Sequence, residues 1–577
     1  MRQTAGLAAG ICLLGLCPRV AAAQAIERNL PPAPVTASPP ILAPEPLAAS
    51  PDDRPIAGPL SQIVLLGLGD TVRPSSDPVR PGLDVGRLDR RAQRRLDRTL
   101  KPFLGRTLSR RLIGEVAAEV VRAYRRAGRP FVSVTTPPQE ISMGRLQLRV
   151  VAYKVGELKL AGAGGPAAVR IEAAVRAPHG QPIDADALSQ DLDWLNRYPF
   201  RTVTAAFSPG AAPGDTDLTL TVTPRRPFQV YAGYADSGSP LTGRDRYFAG
   251  ALVGLPLPVP TLVTYQFTGS PDVFHALGDL VGAEQPEYLS HSARVVSFIA
   301  PRQDLELTVD IIQTNQTAQA FQTRARILEA VLGYRFALSN LWRPLAGDVV
   351  LGVEAKGETR TTYFGDTAVT GGEAEVYQLY GGWSGGWTDR LGHTALDVTL
   401  HVSPGRADPE NSAGAFQAFS QGRVTSARYG YAAATLVHTA DLPFGLSLSN
   451  ELVAQYAPRA LPDTEQAALG GASLVRGYSV DDGAFDRGLV LRNTLTLPWL
   501  RRAALGPVAF DRPFLFGDAG YGDDQGRPGV AIGAVGVGDS IRLGPVALAA
   551  SLADPLHNGP ATRAGRLFAD LRLTAAY

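Results

Sequence analysis

From about residue 228 to the C-terminus, apolar and polar residues alternate with a period of two, the spacing that gives a β-strand one greasy and one wet face. Leu305, Leu307, Val309 and Ile311 alternate with Glu306, Thr308 and Asp310. Leu446 and Leu448 alternate with Ser447 and Ser449, and Leu489, Leu491, Leu495 and Leu497 with Arg492, Thr494 and Thr496. About sixteen such segments follow one another without a convincing amphipathic helix between them. The final one is the cleanest: Leu567, Ala569, Leu571, Leu573, Ala575 and Tyr577 share one face, and Arg566, Asp570, Arg572 and Thr574 the other.

Ahead of this region the period lengthens. A strand-like Gln62–Leu66 is followed by a helical period through Leu88, Ala92, Leu96 and Leu100. A second helix carries Leu112, Val116, Val120 and Tyr124, with Gly128 where its C-terminus would end. Strands are predicted over 131–134 and 145–153. The order strand, helix, helix, strand, strand then recurs: a strand at 156–160, helices at 169–175 and 185–197, and strands at 202–207 and 217–222. The second of these helices stops before Pro199. The expected organisation is a proline-rich linker over 26–58, one α+β repeat over 59–154, a second over 155–226, and the all-β region over 227–577.

The N-terminus changes the meaning of the alternation. Arg2, an apolar run over 5–17 and the small residues after it predict a secretory signal peptide over 1–25, cut after Ala23 or Ala25. The run is too short to cross a bilayer as a helix. Both cysteines, Cys12 and Cys17, lie inside it, so no disulfide or cysteine metal site is expected afterwards. A soluble sandwich would also alternate, with its apolar face inward. Export, the lack of cysteine and the long run of strands instead predict a membrane barrel, which must close because unpaired backbone in lipid costs several kcal/mol per group.

Charge excludes one class of partner. The chain has 56 Lys and Arg against 54 Asp and Glu, and loss of Arg2 and Arg19 brings the balance to zero. No global basic field recruits nucleic acid. Arg90, Arg91, Arg94, Arg95 and Arg98 line one helix and read as a solvated face. Gly382-Trp383-Ser384-Gly385-Gly386 matches the nucleophile-elbow pattern of hydrolases, which needs a strand, a sharp turn and a helix. Here a turn into another strand follows, so no catalytic residue is assigned. His179, His275, His291, His393, His401, His438 and His557 lack metal-helix spacing, and no metal or cofactor is expected.

The tetrad Val475-Arg476-Gly477-Tyr478 puts a guanidinium where a membrane barrel would normally hide one. Phe516-Gly517-Asp518-Ala519-Gly520 supplies a carboxylate on a predicted strand. With Leu469-Gly470-Gly471, Leu195-Asn196-Arg197-Tyr198-Pro199-Phe200 and Tyr234-Ala235-Asp236-Ser237-Gly238, the chain resembles two-partner secretion transporters of the haemolysin and filamentous-haemagglutinin type (ShlB/FhaC/HecB). These lie within the wider superfamily of POTRA-plus-barrel outer-membrane proteins.

The resemblance implies two periplasmic POTRA domains, a barrel of about sixteen antiparallel strands in the Gram-negative outer membrane, and an extracellular loop, around 461–488, folded into the lumen. Arg476 at its tip would pair with Asp518 on the wall, flanked by Phe516 and Gly520, while Gly477 turns the backbone and Tyr478 packs the tip. Asn196, Arg197, Pro199 and Phe200 would mark the POTRA branch, and the terminal aromatic Tyr577 the signal read by the barrel assembly machinery. The implied partner is an exoprotein, a haemolysin or adhesin, docked unfolded on the POTRA domains, with type V secretion drawn outward by its folding. Outer-membrane lipid surrounds the barrel. A barrel-assembly insertase and a passive solute porin are the alternatives. The pore-inserted N-terminal helix common in this family meets too many prolines over 31–58, leaving room for a short helix over 25–30.

Overall fold

The computed structural model describes residues 27, 29, 50–86, 90–129, 131–255, 258–274, 285–498, 509–525 and 527–577. The chain divides into two compact units, Ala33–Arg226, and Pro227–Tyr577 together with Met1–Pro32. The signal peptide and the helix expected over 25–30 lie outside the described residues, apart from Glu27 and Asn29.

In the first repeat the sheet runs in the order Gly82–Asp84, Gln62–Leu66, Arg145–Ala152, Val132–Thr135. Helices Arg90–Thr99 and Arg110–Arg126 supply its core partners: Leu96, Leu112, Val116, Val120 and Tyr124 bury against Ile63, Leu65, Leu146 and Leu148. The Ser109 hydroxyl caps the longer helix by accepting from the Leu112 amide at 3.1 Å. Pro55–Pro59 reads as linker in the sequence, yet it pairs with Thr107–Ser109. Its prolines stand at the two ends of a short edge strand, where a missing N–H is tolerated.

The second repeat is a three-stranded sheet, Lys154–Ala161, Asp215–Pro224, Arg201–Pro209, with helices Gly165–Ala174 and Ala185–Asn196. Asp184 caps the latter through the Ala187 amide. Lys159 Nζ donates to Asp217 Oδ2 at 2.7 Å across the two neighbouring strands.

The Pro227–Tyr577 unit is a closed antiparallel barrel from Phe228–Ala235 to Phe568–Ala576. Ala509–Asp511 and Phe514–Asp523 pair with successive parts of Val530–Leu543 and form one bent strand, so the barrel has sixteen. Each strand pairs with the next, and the last closes on the first through Tyr231↔Ala576. The main chain of Tyr577 both donates to and accepts from Val230, at 2.8 and 3.1 Å. Asp236 extends the seam by accepting from the Leu571 amide at 2.6 Å.

Burial is inverted relative to a soluble protein. Leu305, Leu307, Leu379, Leu400, Leu489, Leu491, Leu571 and Leu573 are exposed, whereas Gln266, Asp310, Glu329, Glu354, Lys356, Glu358 and Gln378 are buried. The outer face is suited to lipid, and the polar groups face the lumen. Turns such as 301–302, 389–392, 442–446 and 544–545 share the end where Phe228 begins; the longer connections 404–428 and 457–486 share the other. No helix among the described residues is long and apolar enough to cross a membrane.

Two sequence features take different forms here. Ser384 lies within the continuous 22-residue strand Thr367–Thr388, so no strand-turn-helix elbow exists there. A helix does occur in the β region, Ala413–Phe419, capped by Ser412. At seven residues it is too short for a hydrophobic period to register in the sequence.

Candidate gating site in the barrel lumen

The connection 457–486, between Ser447–Tyr456 and Arg487–Thr496, turns into the barrel. Ala467–Ala468 pairs with Ala484–Phe485 to make a narrow stem. Beyond the stem Leu469, Val475, Arg476, Tyr478 and Asp482 are all buried. Leu469, Val475, Tyr478 and Phe485 pack on Val490, Ile532 and Ala534 of the inner wall.

The tip is held by one ion pair. Arg476 Nε and Nη2 donate to Asp518 Oδ2 and Oδ1, each at 2.7 Å, and the Arg476 amide also reaches Oδ2 at 3.2 Å. The spare face of Nη2 donates to Thr494 Oγ1 at 3.0 Å. The guanidinium lies 3.9 Å from the Phe516 ring centroid, so an aromatic face shields the pair from water. Asp518 and Phe516 share the inward face because they are two residues apart on Phe514–Asp523.

The flanking residues of both motifs have steric or polar roles. Gly477 has φ +87°, and a β-carbon there would lie 2.6 Å from Ala553 Cβ. The Tyr478 hydroxyl lies 3.0 and 2.8 Å from the Gly533 and His557 carbonyls. Asp482 accepts from the Ala561 and Thr562 amides, both at 2.8 Å, tying the loop to the connection 556–567.

A second anchor at the loop's base is absent from the sequence-based expectations. Glu465 accepts from Lys356 Nζ at 2.8 Å, Tyr431 at 2.7 Å and Gln378 at 2.7 Å. Asp463 pairs with Arg360 at 2.9 Å and with Arg423, which also reaches Asp486 at 3.1 Å. Lys356 had one visible signal: it is the only lysine after residue 159, and it stands between Glu354 and Glu358. A third anchor ties the N-terminal segment to the barrel. Arg246 pairs with Glu27 at 3.0 Å, and the Tyr288 hydroxyl donates to the Glu27 carbonyl at 2.8 Å. Asn29 donates to Tyr288 and accepts from Gln266, both at 2.6 Å.

The remaining expected residues lie elsewhere. Asn196 is buried and clamps Val203 from both sides of its amide, at 2.7 and 3.0 Å, while Phe200 is buried beside Tyr198. Arg197 and Pro199 are half-buried at the same helix-to-strand corner. Tyr577 is exposed on the lipid face. The side chains of Arg90, Arg91 and Arg94, together with His275, lie outside the described residues. His401 lines the lumen, with Nδ1 3.4 Å from Glu354. Among the described residues no His, Cys, Asp and Glu group has the form of a metal site.

A closed sixteen-strand barrel with a latched luminal loop, following two α+β repeats, defines a POTRA-plus-barrel outer-membrane transporter. Residues 334–541 match the family described as haemolysin secretion/activation protein ShlB/FhaC/HecB, and residues 83–152 match the POTRA domain, ShlB-type. The chain thus carries a domain similar to the haemolysin secretion/activation family and a ShlB-type POTRA domain, and it lies in the outer membrane with its POTRA domains in the periplasm. It is 23% identical over 494 residues to the heme/hemopexin transporter protein HuxB of Haemophilus influenzae, covering 80% of each chain. Its fold is similar to CdiB from Escherichia coli, with a TM-score of 0.67 and 18% identity over 94% of each chain. CdiB from Acinetobacter baumannii is also similar, with a TM-score of 0.58 and 15% identity over 94% of this chain and 95% of that one.

Proposed function

We propose that this chain carries a partner exoprotein from the periplasm to the cell surface, and that loop 457–486 is the gate of its pore. The observation that carries the reading is the bidentate Arg476–Asp518 pair, which seats that loop's tip against the inner wall. A solute pore does not need such a latch, because its lumen is already passable to small molecules. An unfolded polypeptide needs the loop moved, and a polar latch can be exchanged for water and reformed. The POTRA repeats offer edge strands, Val132–Thr135 and Arg201–Pro209, to which an extended cargo segment can add by main-chain hydrogen bonds. Catalysis is not part of this reading. The barrel assembly machinery would insert the protein by way of its last strand, and outer-membrane lipid would cover its apolar face.

The test compares proteins released by cells with and without this chain. One exoprotein should vanish from the medium and return only with the full chain. If it also returns with a chain lacking 60–225, docking on the repeats is wrong. If the medium does not change at all, the secretion reading fails.

A further inference from the structure

Three consecutive turns at the periplasmic end of the barrel, 338–347, 389–392 and 442–446, carry large apolar residues into solvent. Leu341, Trp342, Leu391 and Phe444 are 72%, 63%, 74% and 92% exposed. Phe444 holds φ +65°, a conformation that a bulky residue rarely adopts, between Pro443 and Gly445. Strain that is kept in order to display an aromatic ring asks for a function. On other parts of the rim, the turns 301–302 and 544–545 are only Pro-Arg and Gly-Pro.

Two features identify what covers these tips. The tips continue the band of exposed Leu351, Val353, Leu379, Val398 and Leu400 on the strands that lead into them, which is the lipid-facing wall. Tryptophan at the end of such a band is suited to the headgroup level. Arg343 and Arg390 stand beside Trp342 and Leu391, exposed and without an ion-pair partner among the described residues. The nearby Asp389 is occupied by the Leu391 and Gly392 amides of its own turn.

We propose that these three turns form a lipid-binding foot, whose apolar tips enter the periplasmic leaflet while Arg343 and Arg390 bind anionic phospholipid headgroups. A basic side chain at an anionic surface gains attraction that salt screens and zwitterionic lipid does not provide. The foot lies on one side of the barrel, away from the seam between Phe228–Ala235 and Phe568–Ala576. It therefore fixes the depth of that side.

The only cysteines, Cys12 and Cys17, fall in the expected signal peptide, so single spin labels can be placed on the full chain. Leu391→Cys, Phe444→Cys and, as control, Gly544→Cys are labelled in reconstituted vesicles after heat-modifiable gel mobility shows a folded barrel. Labels at 391 and 444 should collide with oxygen in preference to a water-soluble nickel chelate, and the label at 544 should do the reverse. Equal water access at all three positions overturns insertion. Adding phosphatidylglycerol to phosphatidylcholine vesicles should drive the 391 label deeper, and R343Q/R390Q should abolish that increment. An increment that is missing, or that survives in the double variant, overturns headgroup binding.

Discussion

Val475 sits over Gly520, where a β-carbon would come within 2.9 Å of Val475 Cγ2. The loop tip therefore docks on a wall position that has no side chain. Gly520→Val should lift Val475 off the wall, with an overpacking penalty of about 1–3 kcal/mol. Faster amide exchange over 470–480, with Phe514–Asp523 still protected, is the expected readout; unchanged exchange would show that the contact is not needed.

Asp518 loses its partner in Arg476→Glu and gains a like charge. Breaking a buried pair in this way costs about 3–5 kcal/mol, and less where the lumen is wet. Secretion should fall in each single reversal, and Arg476→Glu with Asp518→Arg should restore part of it. Failure of the double reversal to recover any secretion would argue against direct pairing as the functional latch.

Lys356 is surrounded by Glu329, Glu354 and Glu465 at 3.6, 3.6 and 2.8 Å. Lys356→Met leaves three carboxylates facing one another, again a loss of about 3–5 kcal/mol. The base of the loop should loosen, seen as larger single-channel conductance in planar bilayers. Lys356→Met with Glu465→Gln should show a smaller increase than Lys356→Met alone; additive effects would mean that the two residues act separately.

The hydrogen bond from Lys159, with a further one from the Glu157 amide, holds the Asp217 carboxyl below its ordinary 3.8. A depressed carboxylate contributes stability that is complete above the unfolded value and is lost as pH falls through the folded one. Amide protection of Lys154–Ala161 and Asp215–Pro224 should thus hold at pH 5 and decline below about pH 3.8. In Lys159→Met that decline should begin at a higher pH; an unshifted profile would remove Lys159 as the cause.

Deleting Tyr577 removes both main-chain bonds to Val230 at the seam and the aromatic end of the last lipid-facing row. Less heat-modifiable barrel should accumulate in the outer membrane, measured by gel shift on isolated membranes. Phe in its place should restore assembly, since the ring and the main chain are retained.

Much of this architecture could be read from the chain because it rests on local periodicity. Leu305 and Leu307 point to lipid and Asp310 to the lumen for the same reason that they alternate in sequence: successive side chains of a strand leave opposite faces. The repeat helices were equally legible through Leu112, Val116 and Val120. Pro55–Pro59 and Ala413–Phe419 were not, since an edge strand flanked by prolines and a seven-residue helix are too short to carry a period.

The tetrad around Arg476 and the carboxylate at Asp518 could be singled out by motif, but their joining across 42 residues is a property of the closed barrel. The Lys356–Glu465 anchor spans 109 residues and has no motif, only an isolated lysine between two acids. By itself the sequence determined which face of each strand meets lipid and how many strands were available. Tertiary structure alone decided which luminal charges meet. Ring closure brings distant strands within reach of a single loop, and a buried charge is stable only where a partner or a hydrogen bond replaces the water it has lost.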